Sequence, residues 1–483
     1  MKAVNFPRSF ARAGPRRFCN HRAVLRWSSL SIVVTLWAAP AVAQLSFSVH
    51  PEHDAIVQRW LAGSQPKWLR IYRQLHAAPE LSLQERKTSA LAARELERAG
   101  YRVQSAIGGF GVAAVLRNGD GPTLLVRADM DALPVAEQTG LSYASRVQVK
   151  NERGEIVPVM HACGHDLHVA NLLASATFLA EQRALWSGTL VLIAQPAEEL
   201  GEGASRMIAA GLFDRVPRPD YALALHVEPG LPAGQVAAVA GWAAANVDSV
   251  DVTLFGRGGH GAKPHETVDP IVAAAHFVTA LQTLVSRRND PQQPAVVTVG
   301  SIHGGTKHNV IPDSVHMQLT VRSYDPVVRE RLLSGIADLA RDVCSAFRCP
   351  KPPEVRTKEN YTPAVYNDPG LTDAARRVFA ALLGAQALAE VAPTMGGEDF
   401  GRYGKTLGIP SLLFRLGASA PARVAASRRP GGAPLPTLHS SAFAPDAPIA
   451  LPIGVRATVG LALGLLARAT AAPVAAPAPS VKP

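Results

Sequence analysis

The sequence predicts an α/β protein: a mixed, mostly parallel sheet with helices on its faces, interrupted along the chain by a second, smaller α/β unit. Three observations predict it. Strand-length apolar runs alternate with helical patterns from Gly111 to Leu225, the order that builds a parallel sheet. The alternation breaks near Val247, where a half-buried strand pattern begins, and resumes after Tyr361. The Asp-, His- and Glu-rich segments fall where strand patterns end, the edge of such sheets that carries chemistry.

At 483 residues, 47% apolar and 18% charged, the chain is globular and too long for one ordinary core. Its first 43 residues hold Lys2, Arg8, Arg12, Arg16, Arg17, Arg22 and Arg26, then an apolar run from Leu30 ending Ala41-Val42-Ala43. A basic start, a run short for a bilayer and a small-residue cleavage site predict a signal peptide. The expectation is a bacterial exported protein, periplasmic or secreted, with no stable membrane association after cleavage. Arg16-Arg17 is followed directly by Phe18, which leaves the export route open. Seven units of the formal +11 charge lie in this leader, leaving +4. No basic cluster with interleaved aromatics remains, so no nucleic-acid partner is expected. Cys19 leaves with the leader, and Cys344 and Cys349 stand close enough in sequence to pair in an oxidising compartment. Cys163 is left alone.

Pro66 to Leu75 and Glu85 to Ala99 repeat apolar residues at helical spacing, with Gly100 as a stop. Strands are expected at Gly111 to Leu116, Thr123 to Val126, Gly188 to Ala194 and Tyr221 to Leu225, with helices at Leu167 to Arg183 and Ala204 to Ala210. Ser249 to Phe255 alternates like a half-buried strand. Pro270 to Ser286 reads as a helix, Ala295 to Ser301 and Ser314 to Arg322 as strands, and Pro326 to Ala346 as a helix that covers them. The expected divisions are a leader over 1–43, a catalytic domain split between 44–246 and 362–469, an inserted domain over 247–361, and an Ala/Pro-rich flexible tail over 470–483. Ser145 to Val157 reads as a charged hairpin, and Ala420 to Pro436 as a long Gly/Pro/Arg loop.

In His161-Ala162-Cys163-Gly164-His165-Asp166 a thiolate and an imidazole are separated by one glycine, which lets both turn toward one ion. A structural role, or a nucleophilic Cys/His pair, fits the same residues. Gln195-Pro196-Ala197-Glu198-Glu199 ends a strand pattern, and adjacent carboxylates there repel unless a cation sits nearby. One glutamate then ligates the ion while the other stays free as a general base toward water. His226 ends the strand pattern Tyr221 to Leu225, and His439 lies in Thr437-Leu438-His439-Ser440-Ser441. Asp129 and Asp131 also stand at a strand end, one residue apart, where one could hold a ligand imidazole.

Seven segments in order resemble the M20 metallopeptidase family, and within it the subfamily D amidohydrolases. They are Leu75-His76 through Pro79-Glu80, RADMDALP from Arg127, HACGHD from His161, QPAEE from Gln195, GGHGAKPH from Gly258, NVIPD from Asn309 and GGEDF from Gly396. The resemblance runs from roughly Trp68 to Leu466. It implies a discontinuous metallopeptidase-like catalytic domain with an inserted ferredoxin-like lid or dimerisation domain. It implies two divalent metal ions per subunit (Zn, Mn, Co or Ni), ligated by Cys163, His165, Glu199, His226 and His439, with Cys163 bridging where other branches use aspartate. Glu198 becomes the general base and Asp131 the aspartate behind the metals, while Asp129 stands where other branches have histidine. His260 is expected to reach a partner's active site in a homodimer, and Asn309, Arg322 and Gly396 to contact substrate. The implied activity is hydrolysis of a small-molecule amide, an N-acyl or N-aroyl amino acid of hippurate type. The alternatives are a dipeptidase or carboxypeptidase of the same superfamily, and, remotely, an inactive metal-bearing binding protein.

Overall fold

The computed structural model describes residues 51–467. The expected leader and Ala/Pro-rich tail lie outside the described residues.

A large sheet of eight strands organises the chain. Its spatial order is Arg102–Ile107, Gly111–Asn118, Gly188–Gln195, Thr123–Asp129, Tyr221–Pro232, Ser411–Ser419, Val236–Ala237 and Leu388–Ala389. Four of the seven neighbouring pairs are parallel, three of them the central ones, so the sheet is mixed and mostly parallel. The central strands are apolar almost throughout; Gly188–Gln195 is buried at all positions but Thr189. Such runs are what a sheet covered on both faces requires. One face is covered by the helices Pro51–Ala77, His165–Glu181, Pro369–Leu383 and Ala447–Leu465, whose core includes Trp68, Phe178 and Phe379. The other face packs Met207, Leu212, Phe400 and Tyr403 from short helices and the turns beside them.

A second sheet is separate and wholly antiparallel, in the order Ala295–His303, Ser314–Ser323, Asn246–Phe255, Glu354–Thr357. With the helices Pro270–Arg287 and Pro326–Ala346 it runs β-α-β-β-α-β along the chain. It has its own core, including Val252, Phe277, Met317 and Ile336. Asp269 and Asp325 cap these helices by accepting backbone N–H bonds, and each is followed by a proline at the first helical position. The two chain segments joining the units are tied together: Val247 N–H donates to Thr362 O at 2.8 Å and Thr362 N–H to Val247 O at 3.1 Å.

Two local expectations are corrected, and one left open is answered. Pro66 does not begin a helix but lies inside Pro51–Ala77. Val57 and Leu61 on the earlier turns join the same core as Trp68, and their burial outweighs the backbone bond that the proline forgoes. The stretch from Ala420 to Pro436 is not all loop, since Pro421–Ser427 is helical and buries Val424. Cys344 and Cys349 are free thiols in this structure, adjacent at the end of a helix where Cys349 N–H bonds Cys344 O at 2.8 Å. The charged hairpin is present, as Gln148–Lys150 paired with Ile156–Pro158.

Candidate metal centre

The loops at the carboxyl ends of the parallel strands bring five side chains together. Cys163 Sγ, His165 and His226 offer ligand atoms all within 4.8 Å of one another, and so do Cys163, Glu199 and His439. Cys163 belongs to both groups, the position that a bridge between two ions would take.

Each donor is aimed by a backbone device. Gly164 stands at φ +80 between Cys163 and His165, and a Cβ there would lie 2.7 Å from Val227 Cγ2, so only glycine lets the two ligands turn inward at this close approach. Ala197, at φ 52, and His439, at φ 65, hold the left-handed backbone without being glycine, strain that clusters at functional sites. Glu85 offsets it at Ala197, whose N–H donates to Glu85 Oε1 at 2.8 Å. Ala162 O offsets it at His439, accepting the His439 N–H at 2.8 Å.

The imidazoles turn their Nε2 atoms inward. His165 Nδ1 donates to Asp131 O at 2.9 Å and His226 Nδ1 to Val227 O at 2.8 Å, which leaves both Nε2 atoms to face the centre, where a cation can take their lone pairs. His226 Nε2 lies 3.6 Å from Cys163 Sγ, and His439 Nε2 lies 3.4 Å from Glu199 Oε2. His165 Nε2 and Glu199 Oε1 are buried with no hydrogen-bond partner, a costly state for polar atoms. A divalent cation supplies what those atoms lack, and a donor set of thiolate, imidazole and carboxylate suits zinc, manganese, cobalt or nickel. The residues therefore fit the metal.

Electrostatics point the same way. Burial pushes Glu198 well above the usual carboxylate range, and Glu398 and Glu199 push it further. Glu199 is pushed up to about 7 by burial, with Asp131 adding to the effect. Burial and then Glu199 raise the Cys163 thiol. His226 is lowered by burial, then by His168 and Arg415. His165 is raised against its burial by Asp129 and Cys163; acids held protonated and an imidazole held charged are what a site short of positive charge shows, and a bound cation reverses both.

Asp129 and Asp131 flank His165, outside the two groups that share Cys163; Asp129 Oδ2 is 3.7 Å from His165 Nε2 and forms a further donor group with His165 and His168. Asp131 Oδ1 is 3.4 Å from His165 Nδ1, while its Oδ2 accepts from Ser82 at 2.6 Å and from Glu199 N–H at 3.0 Å. Asp129 is taken by Arg127 and His168, at 2.6 Å each. Arg322 and Gly396 line a cavity of about 570 Å³ together with Cys163, Glu198, Glu199, His226 and His439. His260 and Asn309 are exposed, sit together where Gly261 N–H bonds Asn309 O, and do not line that cavity.

Sequence reasoning did not single out several supporting residues. His168 Nε2 accepts Val227 N–H at 3.0 Å and so locks the strand that carries His226. Arg127 reaches Glu398 at 2.8 Å and Asp399 at 2.9 Å. His76 is sandwiched between Asp166 at 2.7 Å and Glu137 at 3.0 Å. Burial opposes its charge but the two carboxylates push it up to about 10, which pins the loop beside His165. Glu85 lies far from the metal segments in sequence. Its spacing signalled only a helix start.

Glu85 yields a pH prediction. Burial and Asp131 push it from an ordinary 4.5 up to about 7 in the metal-free protein. Between those values the unfolded chain releases a proton that the fold retains, so stability falls as pH rises through the window and the penalty is constant above it. Glu85→Gln keeps the Oε1 acceptor and cannot ionise. Its melting temperature relative to wild type should therefore climb from pH 4.5 to 7 in chelator; parallel curves would refute the assignment.

A cluster of thiolate, imidazole and carboxylate donors, withdrawn from solvent except at His439, at the carboxyl edge of such a sheet defines a metal-dependent hydrolase. Residues 125–429 match peptidase family M20/M25/M40, and the chain belongs to that family. It is 37% identical over 353 residues to thermostable carboxypeptidase 2 of Saccharolobus solfataricus, covering 72% of this chain and 85% of that protein. It is also 37% identical over 345 residues to N-acetyl-L-cysteine deacetylase of Bacillus subtilis, covering 71% and 79%. Among solved structures it resembles a Bacillus subtilis dinuclear metal-binding peptidase of the M20 family, with TM-score 0.68, 30% identity, and 84% of this chain and 99% of that one covered. The chain is a metal-dependent amidohydrolase.

Proposed function

We propose that the chain hydrolyses the amide of N-acyl or N-aroyl amino acids at a binuclear centre held by Cys163, His165, Glu199, His226 and His439. The observation that carries this reading is Cys163, shared by two candidate ligand groups, with Glu198 beside His165 and Glu199. When bound, the ions polarise the amide carbonyl and make water acidic enough to attack. The chain's own residues do the rest. Glu198 accepts the proton of the attacking water and returns it to the leaving amine. Asp131 and His168 fix the ligand imidazole and the His226 strand. Arg322 binds the amino-acid carboxylate, a planar anion that a guanidinium matches. His260 belongs to a partner's site in a homodimer, which light scattering tests directly: a monomeric, fully active enzyme would end that part of the proposal.

A carboxypeptidase or dipeptidase reading draws on the Saccharolobus solfataricus relative. A hydrolysis panel of hippurate, N-acetyl amino acids and dipeptides, with and without chelator, separates the two. Chelator-sensitive turnover of hippurate or N-acetyl amino acids above that of dipeptides is expected, and the reverse order would replace the proposal.

A further inference from the structure

Two guanidinium groups line the cavity with no carboxylate bonded to either among the described residues. Arg322 comes from the strand Ser314–Ser323 of the small sheet, and among the described residues its side chain hydrogen-bonds only Thr320 Oγ1, at 3.2 Å. Arg415 comes from the strand Ser411–Ser419 of the large sheet, in register with His226. It is half-buried, and among the described residues it makes no hydrogen bond and no ion pair. Both line the cavity that Cys163, Glu199 and His439 line. Glu228 lines it too, but its Oε1 takes Gly230 N–H at 3.2 Å and it forms no ion pair with Arg415.

A cation withdrawn from water without a partner is costly, and proteins keep one where a ligand completes it. Structural arginines are paired elsewhere in this fold: Arg127, Arg329 and Arg456 each hold carboxylates at 2.8 Å or less. Arg415 interrupts the otherwise apolar and buried run Leu412 to Ala418, a place where a guanidinium contributes nothing to packing that leucine would not. The amino-acid carboxylate of the proposed substrate occupies Arg322 and leaves Arg415 unused.

We propose that Arg415 binds a second carboxylate of the substrate, so that this chain prefers N-acyl amino acids bearing two carboxylates. The inference rests on the amidohydrolase reading above and deepens it. The second carboxylate has two chemical sources, the side chain of aspartate or glutamate, or a dicarboxylic acyl group such as succinyl.

Two matched pairs distinguish them in the metal-loaded enzyme: N-acetyl-L-glutamate against N-acetyl-L-glutamine, and N-succinyl-L-leucine against its terminal amide. In one pair kcat/KM should favour the dicarboxylate by ~10- to 100-fold, the scale of a charge-assisted contact. Arg415→Gln should bring that ratio toward one and Arg415→Lys should restore part of it, with metal content and melting temperature certifying both variants. Ratios near one in wild type for both pairs overturn the proposal, and so does a ratio that Arg415→Gln leaves intact. Should Arg415→Gln not fold, the wild-type ratios decide alone. If neutral N-acyl amino acids are hydrolysed freely, the loss falls on Arg415 only; if no N-acyl amino acid is hydrolysed, the amidohydrolase substrate reading falls and takes this one with it.

Discussion

Glu198→Gln should keep its metal and lose ~10²–10⁴ in kcat, the range for removing a general base. The glutamine is isosteric and stays in the crowded acidic pocket beside Glu199 and Glu398. It cannot take a proton from water. The variant also removes one of the charges that repel one another there, since burial, Glu398 and Glu199 all disfavour ionised Glu198 in the metal-free protein. Metal affinity should therefore survive while turnover collapses. Elemental analysis and steady-state kinetics on an N-acetyl amino acid check both halves. Near-full turnover would remove Glu198 from the reaction, and loss of metal would make it a ligand.

Cys163→Ala should abolish activity by emptying the centre. Its sulfur is the one donor shared by both ligand groups, so its loss weakens both ions at once, and a metal-to-protein ratio well below wild type is expected after dialysis. A thiol nucleophile predicts the opposite, a metal-loaded but inactive variant. The structure argues against a nucleophile, because burial and Glu199 push the thiol above its ordinary value where a reactive cysteine is depressed. Cys163→Asp gives a third reading. A bridging ligand tolerates a carboxylate and should recover part of the metal and the activity, whereas a nucleophile replaced by aspartate should not.

Much of the architecture was legible because its determinants are local. Asp269-Pro270 and Asp325-Pro326 announce helix starts, since the aspartate caps and the proline suits the first turn. The apolar runs at Thr123 and Gly188 announce covered strands. Pro66 misled because a core contact made far along the helix overrides a local breaker. The site divides in the same way. Glu198 and Glu199 carry their chemistry in their adjacency, so a reader of the sequence can find them. His439 does not, because its place depends on a left-handed backbone and on a bond to Ala162 that only the folded chain supplies. Glu85 and His168 act through partners remote in sequence, and Arg415 is singled out only by its place in the fold. Arg415 in particular sits in the run Leu412-Leu413-Phe414-Arg415-Leu416, which reads as a plain buried strand.

The bond from His439 N–H to Ala162 O has a consequence for biosynthesis. It joins the segment before Cys163 to one near the end of the chain, and His439 is itself a candidate ligand. A polypeptide leaving the ribosome therefore displays Cys163, His165, Glu199 and His226 while the last donor is still untranslated. Under the proposed ligand set, a chain that stops before His439 can collect metal only at an incomplete set, so a working centre cannot exist until the segment around His439 has been made.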